Sequence, residues 1–471
     1  MRSRSNVVGL LLAPLFCLGA CNALVGVEDV HLRDDPSGGG DGGASSGSGG
    51  GLGGKTSAAG SDATNAGADD GGVPGGAGEP ASGGAGSGGI ANGDAGSGGA
   101  TAGDAGAGGM GGAGEEPDPC PALGEEKPVR GPLTLVQFAP HKEPRGHLDV
   151  SADGKNAYVT SWGSITQHFM RDTLTGKLTP KSTAWVYNGE YAVLSPSSPS
   201  LFVGGVNGTQ FYRIPIAADG SITNTDAHVP PSYLSSLDAI AVGDKTIFLP
   251  SGSSIRAIQN DVYDPTNRVP GTYDGVRGLS RSGQYLYWTE YANQVQFPNG
   301  ATAVGRAHFE CDGTLGPREA FATGYAPWDV AACQKSGFVY VPHVAESADK
   351  PGWVDVVDLS TCKDDFSSCK PLKKLTGTEI AGLVNPSGVR VSTDCSTLYL
   401  TNLTKSAGGQ LMVLSLTKPE APELLQTFEE GKTYDGVTMT GGISAWHMTF
   451  FDGYLYVPME FGEGVAVFKG K

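Results

Sequence analysis

Residues Gly146 to Leu178 read GHLDVSADGKNAYVTSWGSITQHFMRDTLTGKL. Leu148 and Val150 alternate with polar neighbours, Ser151-Ala152-Asp153-Gly154 supplies a turn, and Ala157-Tyr158-Val159-Thr160 resumes a β-branched and aromatic run. Asp-Gly between alternating apolar segments marks a tight hairpin, because glycine accepts the positive φ that such a turn requires. The stretch therefore predicts three short strands joined by turns. A single unit of this kind cannot bury its own faces, so copies of it are expected elsewhere in the chain.

The copies are there. Leu279-Ser280-Arg281-Ser282-Gly283 leads into Tyr285-Leu286-Tyr287-Trp288-Thr289, and Val391-Ser392-Thr393-Asp394 leads into Thr397-Leu398-Tyr399-Leu400-Thr401-Asn402. Phe450-Phe451-Asp452-Gly453 precedes Tyr454-Leu455-Tyr456-Val457-Pro458, and weaker versions run through Leu194 to Val203, Ile240 to Leu249 and Val330 to Val341. Each unit continues into a further strand and a polar turn, as in Phe211 to Ile216 before Ala218-Asp219-Gly220-Ser221. Seven units of four strands, spaced by roughly 40 to 60 residues, predict an all-β, seven-bladed β-propeller. Blades are expected to begin near His147, Tyr191, Leu237, Val276, Pro327, Gly388 and Trp446. The last unit, Trp446 to Phe468, holds only three strands, whereas an extra strand, Pro132 to Phe138, precedes the first. The economical expectation is that the N-terminal strand completes the last blade and closes the ring.

The chain has 471 residues, but only its C-terminal part has the composition of a core. Arg2 and Arg4 precede the apolar run Val7 to Phe16, which is too short to span a bilayer and reads as a signal peptide over residues 1–20. Leu18-Gly19-Ala20-Cys21 resembles a bacterial lipobox, with Cys21 as the lipidated mature N-terminus and Cys17 inside the removed segment. By the same resemblance, Asn22 after the cysteine implies the outer membrane, with a periplasmic or surface-exposed protein. Residues 21–119 form the expected linker, since from about Ser37 to Pro117 the chain is Gly, Ala, Ser and Asp with almost no large apolar side chain. Such a segment cannot offset its ordering entropy. A flexible tether of this length spans on the order of 50 Å. Residues 120–471 then make the propeller, expected as a monomer.

Charge follows the same division. Of the net charge of −17, residues 34–118 carry −11 through twelve carboxylates against Lys55 alone. The folded part has no basic stripe, which argues against a nucleic-acid partner. Six cysteines remain beyond Cys21, and an even number in an exported chain implies disulfides, with fifteen possible connectivities. Cys333 and Cys395 fall in first hairpin turns; Cys311, Cys362 and Cys369 fall in third turns. Placement favours Cys311 with Cys333 across neighbouring blades and Cys362 with Cys369 locally, leaving Cys120 with Cys395. Zinc is the rival reading, but no close cysteine pairs with metal spacing occur, and no metal or cofactor is expected.

The Ser-x-Asp-Gly turn followed by Tyr158-Val159-Thr160-Ser161 and by Tyr399-Leu400-Thr401-Asn402 is similar to the seven-bladed lactonase-like propellers and the YVTN-repeat surface proteins. Arg171-Asp172 through Thr175-Gly176-Lys177-Leu178 also resembles the third turn of the lactonase family. The resemblance covers roughly residues 130–471 and implies the fold; propellers host many functions.

Functional candidates come from position. The residue ending the second strand of successive blades is Ser161, Gly205, Ser251, Glu290, His343, Asn402 and Met459, varied chemistry at one repeated place. Before or within the inner strands stand Arg145, His147, Glu190, Asp238, Arg277, Trp328, Asp329, Arg390, Trp446 and His447. Several should converge on the central funnel as ligand-binding groups. The structural alternative is that strand-end polar groups satisfy backbone, that Asp149 and Asp329 bond neighbouring turns, and that Trp328 and Trp446 pack between blades. Two functions fit. One is a tethered binding module for a glycan, peptide or protein. The other, implied by the resemblance, is a lactone hydrolase of the 6-phosphogluconolactonase type, with His147, Glu290 or His343 as base and Arg277 or Arg390 facing the oxyanion. No Gly-x-Ser-x-Gly, Ser-x-x-Lys, His-Glu-x-x-His or nucleotide loop points to other chemistry.

Overall fold

The computed structural model describes residues 120, 127–141, 146–161, 165–186, 189–205, 211–223, 239–251, 254–270, 276–290, 302–333, 335–345, 350–362, 365–404, 408–440, 443, 447–459 and 464–470. The proposed signal peptide, Cys21 and the linker up to residue 119 lie outside them.

Seven antiparallel sheets follow one another along the chain. Blade 1 pairs Leu148–Val150, Asn156–Val159, Ile165–Arg171 and Leu178–Trp185 in order from the inside outward. Blades 3 to 6 repeat this arrangement from inner strands Ile240–Val242, Val276–Ser282, Ala331–Cys333 and Pro386–Val391. In blade 2 the described strands are Gly189–Leu194, Ser200–Gly205 and Phe211–Pro215. Blade 7 takes Thr449–Phe451, Tyr454–Pro458 and Gly464–Gly470 from the C-terminus and its outer strand, Leu133–Pro140, from the N-terminus. Leu133 pairs with Gly470 and Pro140 with Gly464, so the ring closes by strand exchange as the strand count predicts.

The core is divided by junction. One apolar cluster lies between each pair of neighbouring blades. Tyr158, Ala184, Leu201 and Val203 join blades 1 and 2; Tyr191, Phe202, Ile247 and Leu249 join 2 and 3; Val242, Phe248, Val276 and Leu286 join 3 and 4. Val304, Val339, Val389, Leu400, Leu455 and Phe468 belong to the next three, and Leu148, Ala157, Tyr456 and Val465 seal blade 7 against blade 1. A four-stranded sheet is apolar on both faces here, so each blade needs two neighbours.

The repeated Tyr-x-Thr of the second strands has two physical reasons. The tyrosine hydroxyl reaches across a junction: Tyr158 donates to the Gly220 carbonyl (2.9 Å), Tyr340 to Pro419 (2.9 Å) and Tyr456 to Gly176 (3.1 Å), each in the third turn of the following blade. Tyr399 donates to Val129, just before the closing strand. The threonine hydroxyl turns inward and accepts the inner-strand N–H of His147, Gly278 or Gly388, from Thr160, Thr289 and Thr401 respectively.

All six cysteines of the propeller are paired, but two of the three expected bridges are corrected. Cys362–Cys369 is present; the others are Cys120–Cys311 and Cys333–Cys395. Cys311 with Cys333 would have joined an outer third turn to an inner first turn, at different distances from the axis. Cys333 and Cys395 occupy first turns of adjacent blades, and their Cα atoms are 6.0 Å apart. Cys395 (φ 60°) takes the left-handed position that Gly154 (φ 68°) fills in blade 1. Cys120 is buried against the blade 3–4 cluster, where Arg281 donates to its carbonyl.

Candidate functional site

The strand-end candidates are committed within their own blades. Glu290 is buried, accepts the Trp288 indole N–H at 2.9 Å, and takes both nitrogens of a bidentate Arg318 at 2.7 and 2.6 Å. His343 lies fully buried and stacked on Trp353 with ring centroids 4.5 Å apart. Its Nδ1 donates to the Tyr325 carbonyl at 2.7 Å, and its Nε2 faces Asp355 at 3.0 Å. Asn402 accepts the N–H groups of Val384 and Asn385 and donates to Gly382 and to Gln410. Ser161 accepts the Ile165 N–H, and Met459 is buried in the blade 6–7 cluster.

The inner-strand candidates behave differently, because their groups meet across blades. Asp149 accepts the N–H of Val150 with one oxygen and that of Leu194, in blade 2, with the other at 2.7 Å. Asp329 repeats this: it accepts from Val330, and from Val389 of blade 6 at 2.8 Å. Each aspartate thus ties its own inner strand to the next. Close approach matters at the blade 4–5 junction, where a Cβ on Gly278 would lie 2.5 Å from the Asp329 Cα.

Arg390 donates to Asp329 Oδ2 at 2.8 Å and to the Val389 carbonyl at 2.7 Å. His147 and His447, from blades 1 and 7, meet edge to face with centroids 5.1 Å apart. The His147 pKa is lowered to about 4, chiefly by burial with a contribution from Arg390, while Asp149 and a hydrogen bond to the Ala192 backbone oppose the shift. Burial, followed by His147 and Arg390, holds His447 well below the usual imidazole range. Burial raises Asp149, against the pull of His147 and the two N–H bonds. Blades 6 and 1 are not neighbours in the ring, and Arg390 contributes to lowering both histidines. His147 and Asp149 are half-buried. Arg277 stands over the Trp328 ring at 4.5 Å, beside this group at the blade 4–5 junction.

Direct contacts therefore join His147 to His447 and Arg390 to Asp329, while Glu290, His343 and Asn402 stay in separate blades. Arg145, Asp238 and Trp446 lie outside the described residues. Glu190 is in the inner strand of blade 2, its side chain outside that description. Sequence reasoning missed Arg318, Asp355 and Gln410. Gln410 is the direct cross-strand partner of Asn402, and Trp353 that of His343, so counting register from the hairpins would have found both. Among the described residues no group of three or more His, Cys, Asp or Glu side chains is placed to hold a metal ion.

The fold defines the chain's class, a seven-bladed β-propeller. No family model matches it, and no curated protein matches its sequence. Among solved structures it is similar to the WD40 β-propeller domain of Doa1, at 11% identity and TM-score 0.50 over 72% of this chain and 97% of that one. It is also similar to the Pseudomonas aeruginosa periplasmic gluconolactonase PpgL (16% identity, TM-score 0.47, 64% and 88%). Kuenenia stuttgartiensis hydrazine synthase matches at 14% identity and TM-score 0.46, over 72% and 97%. Identities this low speak to the fold alone.

Proposed function

We propose that this protein is an exported, membrane-anchored lipoprotein whose propeller binds a glycan, peptide or protein ligand at the axial end formed by His147, His447 and Arg390. The observation that carries the reading is the edge-to-face meeting of His147 and His447 across the closure between blades 1 and 7. Arg390 ties blade 6 to blade 5 through Asp329. Three disulfides support an oxidising compartment, and Cys21 would carry the lipid.

Lactone hydrolysis is the second reading, and one arrangement favours it. A His147 imidazole with its pKa lowered to about 4 would serve as general base, and Arg390, which contributes to that shift, as the group facing a developing oxyanion. Glu290 and His343 are less accessible for that role, being buried with their polar atoms engaged by Arg318 and Asp355.

The test is to assay wild type and a His147→Ala/Arg390→Ala pair on a glycan and peptide array and for hydrolysis of an aldonolactone. Array capture lost in the pair, with no turnover in wild type, supports the binding module. Turnover lost in the pair supports the hydrolase. Wild-type behaviour in both assays would move the site off the axis. Fractionation of Cys21→Ser separately tests the anchor: the variant should leave the membrane fraction while keeping the wild-type melting temperature.

A further inference from the structure

The strand that closes the ring is also the first strand of the chain. Leu133–Pro140 is the outer strand of blade 7, paired along one side with Gly464–Gly470. Its first residue, Leu133, sits opposite Gly470 at the end of the sheet. A pull on the chain ahead of it would meet the sheet at that end. The contacts just upstream resist such a pull poorly. Lys127 bonds Asp452 and Arg130 bonds Asp394, but the two cations are 71% and 58% exposed, and exposed ion pairs are weak. Single hydrogen bonds add to them, from Tyr399 to the Val129 carbonyl at 3.0 Å and from the Leu133 N–H to Gln426 at 2.8 Å.

The Cys120–Cys311 disulfide stands ahead of all these contacts. Cys120 is buried in the blade 3–4 cluster. Cys311 follows Ala303–His308, which is paired on both sides, with Tyr285–Glu290 and with Glu319–Ala322. The bridge closes a loop of sequence separation 191, and the closing strand lies inside that loop. A force applied before Cys120 therefore passes through the two sulfur atoms into blade 4. Residues 121–310 stay off the covalent load path.

Resting on the reading that the protein is anchored through its N-terminal linker, we infer that Cys120–Cys311 is a strain-relief clamp. It carries tension from the linker into blade 4 and keeps that tension off the strand that closes the ring. A tethered binding module meets such tension whenever its bound partner moves relative to the anchor.

Single-molecule pulling on the full chain carrying Cys21→Ser tests the clamp, with one handle at the N-terminus and the other on an azide-bearing side chain in place of the exposed Lys418. Cys120→Ser/Cys311→Ser should add an early, low-force extension on the order of 60 Å, the reach of about 20 residues peeled through Pro140. Wild type should lack that step. A second pull, between positions 370 and 418, leaves the bridge off the path and should give the same trace in both proteins. Should the variant not fold, wild type held under constant tension and then given dithiothreitol should show the step on reduction. Identical N-terminal traces, or an early step in oxidised wild type, would overturn the clamp. Equal weakening in both pulling directions would also overturn it, leaving an ordinary stabilising crosslink. No membrane takes part, so failure of the clamp is distinct from failure of the anchor, which the Cys21→Ser fractionation judges.

Discussion

Two sets of polar residues lie toward the same end of the blades and look alike in sequence. Glu290, His343 and Asn402 end second strands; His147, Arg390 and His447 lie on or beside inner strands. The first set is sewn into single blades, with each side chain's hydrogen bonds going to its own sheet or its flanking loops. The second set makes contacts between blades: His147 meets His447 across blades 1 and 7, and Arg390 of blade 6 bonds Asp329 before the inner strand of blade 5. The difference shows that varied chemistry at a repeated position is not by itself a functional signal. Each blade can solve a local problem, closing its outer loop, with a different polar side chain.

The largest effect should come from breaking the frame on which both sets rest. Removing residues 129–139 takes the outer strand from blade 7, exposes the edge of Gly464–Gly470, and opens the clusters holding Leu133 and Leu135. Most of the folding free energy should go, on the order of 5 kcal/mol or more. A denaturant melt with an unchanged midpoint would contradict closure by strand exchange.

Next come the strand-end residues. Glu290→Ala leaves Arg318 facing a vacated, largely buried site, and a loss of about 3 kcal/mol is expected. Asn402→Ala removes four hydrogen bonds that hold residues 382–385, for about 2 kcal/mol. Chemical denaturation of both variants checks these magnitudes, and the comparison fails if either variant keeps wild-type stability but loses a ligand.

A smaller, distributed effect concerns pH. His147, His168 and His447 all have folded pKa values depressed mainly by burial, to about 4 for the first two. Below the unfolded value of 6.5 the unfolded chain takes up protons that the folded chain refuses, so stability should fall as pH drops from about 6.5 toward 4. Asp149, with its raised pKa, opposes part of this at the acid end. At still lower pH Asp394 adds a loss of the same sign. Hydrogen bonds from Ser392, Ser396 and Arg130 outweigh desolvation and hold it at about 2, so its contribution disappears as pH falls from about 4 through 2. Melting temperature measured against pH should decline through the first window; a flat profile from 7 to 4 would mean the three imidazoles are protonated in the fold.

Much of the fold was legible because its signals are local and repeated. The Asp-Gly turn, the alternation around Tyr158 and Tyr399, and the count of three strands in the last unit each follow from short-range rules. The disulfides were less legible, because pairing depends on distance from the axis as well as on which face a turn occupies. Cys333 and Cys395 share that distance, whereas Cys311 and Cys333 do not. The axial group was half legible. His147, Arg390 and His447 could be named from inner-strand position, but nothing in the one-dimensional spacing reveals that His147 meets His447 or that Arg390 pairs with Asp329. Arg318 and Asp355 were hidden because one stands just before the fourth strand of its blade and the other on the third strand, away from the motif that draws the eye.

The most direct test sets His147→Gln beside Asn402→Ala and measures, for each, the melting temperature and capture on the glycan and peptide array of the proposed function. The account predicts opposite outcomes: His147→Gln melts within about 2 °C of wild type and loses array capture, while Asn402→Ala melts clearly lower and retains it in the folded fraction. The reverse result, with Asn402→Ala stable but unable to bind and His147→Gln unstable but competent, would contradict the division between axial ring and strand ends.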